Sequence, residues 1–158
     1  GNVWKRLSGS RIVNGEIQIM EGNAPALQVS HADASTAWKA IKPDGSLVAP
    51  GTSGTLRFNA SGNIGTAVVT TGASSKAFSA IAAADSITLP EIIRELLLAP
   101  VEGVANVGNF WWNLEGERVP IRGGSYHDTS NAGASALVLA YLRSFVDGSI
   151  GFFSAYQE

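Results

Sequence analysis

The side chains best suited to acid–base or metal chemistry in this chain are His31, His127 and 13 Asp and Glu residues. There is no cysteine, which removes thiol nucleophiles, thiolate metal sites and disulfides together and leaves the redox compartment open. The histidines lie far apart and form no H-x-x-x-H pair, so two imidazoles are not brought to one metal by helical spacing. A lone imidazole reads as a contact residue. Asp128 and Asp147 have the type for a general acid/base pair, or for calcium ligation with main-chain carbonyls. Glu115 and Glu117 flank a turn, and Glu91 and Glu95 share a helix; solvated polar contacts are the plainer reading of all of these. No glycine-rich phosphate loop, nucleophile elbow or basic aromatic stripe is present. The expectation is a protein that is not an enzyme, with no cofactor and no metal.

The stretch from Arg122 to Tyr156 carries a different signal. It holds Tyr126, Tyr141, Tyr156, Phe145, Phe152 and Phe153, interleaved with Ser, Asn, Asp, His and Gly. Rigid amphipathic rings give contact area at low entropic cost, and short polar groups adapt their hydrogen bonds. That mixture is a binding surface rather than a reaction centre.

The elements that must position this surface are read from periodicity and punctuation. At 158 residues with 45% hydrophobic and 15% charged content, the chain suits one folded domain with a real core. A net charge of -2 gives no reason to invoke nucleic acid or an anionic membrane, and no apolar run is long enough to cross a bilayer. Residue 1 is Gly, and no signal-peptide pattern follows it. Asn14-Gly15 between Arg11–Val13 and Glu16–Ile19 predicts a two-residue hairpin, with Ile17 and Ile19 on one face and Glu16 and Gln18 on the other. Residues 26–29 read as another strand, and Pro43-Asp44-Gly45 as a turn before Leu47-Val48. Residues 51–87, rich in Gly, Ser, Thr and Ala, read as a decorative surface insertion, with strands possible at 55–58 and 66–70. One clear helix is expected at about 90–98, opened by Pro90, with Ile92, Ile93, Leu96 and Leu97 as its apolar stripe. Asn109–Asn113 reads as a buried strand, its paired tryptophans serving as core or, less simply, as a sugar-stacking platform.

Three motifs then occur in order: Gly1-Asn2-Val3-Trp4, Arg122-Gly123-Gly124-Ser125-Tyr126 and Ile150-Gly151-Phe152. Together they resemble the C-type-lectin-like fold shared by formylglycine-generating enzymes and the variable proteins of diversity-generating retroelements, including phage receptor-binding proteins. Arg122, Gly123, Gly124, Ala132, Gly133, Ala136, Leu137, Leu139, Arg143, Ser144, Ile150, Gly151 and Phe152 match the frame of that group. Lys5, Arg6, Tyr126 and Phe153 depart from it. The resemblance implies an α+β fold with short twisted antiparallel strands, the one helix and long irregular loops. It also implies that the chain is the C-terminal part of a larger protein. The enzymes of the group rely on paired cysteines or a histidine cluster, both lacking here; so are the acid-Pro-Asn and Trp-Asn-Asp runs of calcium-dependent lectins.

Carried over position by position, the diversified ligand-binding sites are Tyr126, His127, Asp128, Ser135, Val138, Ala140, Tyr141, Phe145, Asp147, Ser149 and Phe153. They are expected to point outward, between buried frame residues that do not depend on them. The function implied is attachment of a phage tail or fibre to a receptor on a bacterial surface, protein or glycan. Other virion tail proteins and a homotrimeric assembly are the further partners implied, with the protein located on the virion or exposed on a cell surface. A structural tail component using the same patch for assembly, and a divergent enzyme of the same group, are the alternatives.

Overall fold

A computed structural model describes residues 3–22 and 30–151. The expected strand at 26–29 and the positions Gly1, Asn2, Phe152, Phe153 and Tyr156 lie outside the described residues. In chain order the strands are β1 (Trp4–Arg6), β2 (Ser10–Val13), β3 (Glu16–Met20), β4 (Trp38–Ile41), β5 (Leu47–Val48), β6 (Arg57–Phe58) and β7 (Ile64–Gly65). They continue with β8 (Ala73–Ala77), β9 (Asn109–Asn113), β10 (Glu117–Arg118), β11 (Ile121–Gly123), β12 (Gly133–Leu139) and β13 (Ile150–Gly151). Only one α-helix, α1 (Glu91–Glu95), interrupts them among the described residues.

The expected α+β, C-type-lectin-like domain is therefore corrected to a mainly-β one built on two sheets. Two physical reasons account for the miss. The helix expected at 90–98 lasts five residues, because Leu97 takes a left-handed φ of 51° and turns the chain back so that Leu98 enters the core. Ile93 and Leu98 thus carry the apolar face, while Leu97 is exposed. Pro90 occupies the cap in an extended conformation, with no side-chain cap from Thr88. Several strands, moreover, are two residues long, too short for any alternation to register.

One sheet runs β13-β1-β11-β12-β9-β8 and is mixed; β12 pairs parallel with β9, and β1 parallel with β13. The other runs β10-β2-β3-β4-β5, with β6 pairing β3 and β7, and is antiparallel throughout. The Asn14-Gly15 hairpin forms as its sequence predicts: both residues have positive φ, and Val13 pairs with Glu16.

The main core joins the two sheets. Ile12, Ile17 and Ile19 from one meet Phe110, Trp112, Leu137 and Leu139 from the other, with Ile93 and Leu98 closing one side. The segment 51–87 is no decoration: Leu56, Phe58, Ile64 and Phe78 are fully buried in this core, and β8 forms a sheet edge. Residues 66–70 form no strand. The small residues there match a chain that must pass close to its neighbours; a Cβ on Gly62 would lie 2.7 Å from the Trp112 ring.

Alternation along β9 and β12 sends their other side chains to the opposite face. There Trp4, Ile121, Ala136 and Val138 form a second, smaller cluster, with Trp111, Ala140 and Ile150 packed against it. The adjacent tryptophans therefore part company. Trp112 stacks on Phe110 in the main core, ring centroids 5.0 Å apart, while Trp111 meets Trp4 edge-on at 5.7 Å on the outer face.

Candidate binding groove

The second cluster is the floor of a groove of about 300 Å³. Trp4, Trp111, Ile121, Val138 and Ile150 lie at its base, and the chain from Ala140 to Ser149 forms one wall. Tyr141 and Phe145 stack in that wall, centroids 4.2 Å apart and planes within 6°. Asp128 enters from the loop after β11, and Asp147 and Ser149 complete the rim. Among the described residues the lining carries two carboxylates and no cation.

Each rim carboxylate is held locally. Asp128 Oδ2 accepts from the Ser125 amide and hydroxyl, both at 2.6 Å. Asp147 Oδ1 accepts from Ser149 Oγ at 2.5 Å and Ser149 N at 2.8 Å, and these bonds hold its carboxyl below the ordinary Asp range. The rim backbone is fixed from below by the frame. Val119 N donates to the Tyr141 carbonyl at 3.1 Å, Arg6 Nη2 to the Phe145 carbonyl at 2.6 Å, and Trp4 N to the Ser149 carbonyl at 2.7 Å. None of these three bonds uses a rim side chain.

The two frame arginines act at a distance from the groove. Arg122 donates to the Leu96 carbonyl at 3.1 Å and also to that of Leu97, at the C-terminal end of α1, where a cation is favourable. Burial pushes its guanidinium down to about 10, so it stays charged at neutral pH. Arg143 grips Glu117 through Nη2 at 2.6 Å and Nε at 3.1 Å, and Glu117 also receives Arg11 at 2.8 Å. Burial raises Glu117, but the hydrogen bonds and charges of Arg143 and Arg11 outweigh it and hold the carboxyl below its ordinary range. The chain of contacts continues from Arg11 to Gln18, Glu16 and Arg57 across the outer face of β2 and β3. Arg11 also lies 4.1 Å over the Trp38 ring.

Of the eleven positions expected to bind ligand, Asp128, Val138, Ala140, Tyr141, Phe145, Asp147 and Ser149 line this one groove. Tyr126 and His127 lie on the loop that brings in Asp128; Tyr126 is 68% exposed, and its ring sits 3.8 Å from that of His127. Ser135 and Val138 correct the expectation of outward-facing sites, being 7% and 5% exposed. The cause is that β12 is central in its sheet and covered on both faces. Ser135 lies beneath the chain at Val107, to whose carbonyl its amide donates at 3.2 Å. Phe153 is outside the described residues.

Trp4, Trp111, Ile121 and Ile150 escaped the sequence reading as groove residues. Strict alternation in Asn109–Asn113 would have separated Trp111 from Phe110 and Trp112.

Among the described residues no group of three or more His, Asp or Glu is placed to hold a metal ion. Ser8 Oγ lies 2.7 Å from His31 Nδ1, an arrangement the linear sequence hides. No carboxylate among the described residues bonds to that imidazole, the place an orienting third member of a nucleophile–base–acid set takes. No helix among the described residues is long and apolar enough to cross a membrane. The chain matches no protein-family model, and no curated protein is significantly similar to it.

Proposed function

We propose that this protein is a non-enzymatic receptor-binding module. Its groove and flanking loop grip a protein or glycan on a bacterial surface, as the distal part of a phage tail or fibre. One observation carries the reading: the main chain beneath Tyr141, Phe145 and Ser149 is anchored by Val119, Arg6 and Trp4, while the rim side chains face a concave site. Such a rim tolerates many side-chain sets, because exposed substitutions away from structural contacts shift stability little. Stacked aromatics beside short polar groups supply the anchors that dominate binding energy. The likeness of the RGGSY and IGF motifs to variable proteins of diversity-generating retroelements points to the same use.

The test is retention of the purified chain on bacterial envelope fractions. Replacing Tyr126, Tyr141 and Phe145 together by Ala is expected to abolish retention while cooperative unfolding persists. Retention equal to the parent's in that variant would remove the groove from the account.

A second reading has its own support. Leu142 and Val146, 51% and 88% exposed, stand on the outer flank of the same loop, and apolar exposure of that kind suits a subunit contact. In that reading the protein is a structural tail component, assembling with its own copies as a trimer or with other tail proteins. Sedimentation of the chain and of a Leu142→Ser, Val146→Ser variant separates the two: concentration-dependent association lost in the variant favours assembly.

A further inference from the structure

Behind the wall formed by the rim loop lies a second concavity, of about 350 Å³, between β1, the turn into β2 and the start of β4. Among the described residues its polar lining consists of Arg6, Arg143, His31, Ser8 and Ser10, with no carboxylate. Arg6 and Arg143 are close enough for each to feel the other: burial, and then the charge of Arg143, pushes the Arg6 guanidinium below its ordinary value. Arg6 Nη2 donates to the Phe145 carbonyl, while Nη1 is buried and finds no acceptor among the described residues. A buried guanidinium nitrogen without an acceptor is costly to leave so, and two converging arginines are a common solution to binding a carboxylate or phosphate.

We infer that this pocket is a binding site for an oxyanion group, a phosphate or a sugar carboxylate, held by Arg6 and Arg143 with the Ser8 hydroxyl and the His31 ring at its mouth. The anion accepts from Arg6 and from Arg143 Nη1, which Glu117 leaves free, and offsets the charge of Arg6, the guanidinium of the two that has no carboxylate partner among the described residues. Apolar walls from Leu7, Trp38 and Val119 exclude water from one side and strengthen these bonds. The site is distinct from the groove, to which Arg6 is linked only through its bond to the Phe145 carbonyl behind the rim.

The test is calorimetric titration of inorganic phosphate and, separately, of glucuronate into the whole chain at low ionic strength. Saturable binding of at least one is expected, weakening as salt is added. Phosphate alone binding identifies a phosphorylated ligand, and glucuronate alone an acidic sugar. Arg6→Gln is expected to weaken the binding by about tenfold or more, the size of one charge-assisted hydrogen bond. Because Arg6 also braces the rim, Ser8→Asp provides a second variant: it places a competing carboxylate at the pocket mouth and leaves the Phe145 bond untouched. Glu95→Gln, on the exposed side of α1, is expected to change nothing. Absence of saturable binding for both anions would overturn the inference. So would binding undiminished in Ser8→Asp, or binding lost in Glu95→Gln.

Discussion

Glu117 shows how far a side chain's role can depart from its place in the sequence. It follows a turn and reads as solvated, yet it joins Arg143 below the rim to Arg11 on the outer face of the other sheet. Removing one partner of a largely buried ion pair leaves an uncompensated charge. Glu117→Ala is therefore expected to lower stability by about 3 kcal/mol in urea unfolding, and a loss within error would show that Arg11 is adequately held by Gln18. The pH dependence has a definite sign. The folded-state carboxyl sits below its unfolded value, so its contribution is present above about pH 4.3 and fades as the solution is acidified through the lower folded value. Glu117→Gln should flatten that acid limb. The sequence shows the residue types of this network, but its contacts join residues about 100 positions apart, and no local pattern encodes that.

Elements were readable where local chemistry dictates them. Asn14-Gly15 forces its turn whatever surrounds it, and Pro43-Asp44-Gly45 does the same, with Ser46 N donating to Asp44 Oδ1 at 3.0 Å. Apolar spacing at 92, 93, 96 and 97 predicts a longer helix than forms, because spacing does not reveal that Leu97 takes left-handed φ. In segment 51–87, strands of two residues and single buried rings, Phe58 and Phe78, carry no periodicity to read. The Arg-Gly-Gly motif rests on a backbone requirement: Gly123 and Gly124 have φ of 94° and 87°, where the register of β11 on β12 shifts. A Cβ on Gly124 would lie 2.5 Å from that of Ala132. Gly124→Ala should cost about 1–3 kcal/mol, whereas Gly148→Ala, with open space around it, should be nearly neutral. Equal melting temperatures for the two variants would contradict this.

For the molecule as one body, the organisation is a division of labour between the faces of one sheet. The inner face of the six-stranded sheet holds the main core, and its outer face carries a small aromatic cluster that serves as groove floor. Sequence alone located most of the groove wall, because the aromatic and small-polar mixture at 126–149 is local. It missed the floor, because Trp4 and Trp111 come together only through the pairing of β1, β11, β12 and β9. It also placed Ser135 and Val138 outside, whereas Ser135 shares a face with the buried Leu137 and Leu139, and Val138 lies on the opposite face under Trp4 and Trp111. The claim at the centre is that the rim does not hold up the fold while the floor does.

Urea unfolding of a Tyr141→Ser, Phe145→Ser, Asp147→Ser variant tests that claim most directly, read beside Trp4→Ala. The rim variant is predicted to lose less than about 2 kcal/mol with an unchanged denaturant slope, and Trp4→Ala about 3–5 kcal/mol. A rim variant that loses as much as Trp4→Ala, or unfolds without cooperativity, would contradict the account.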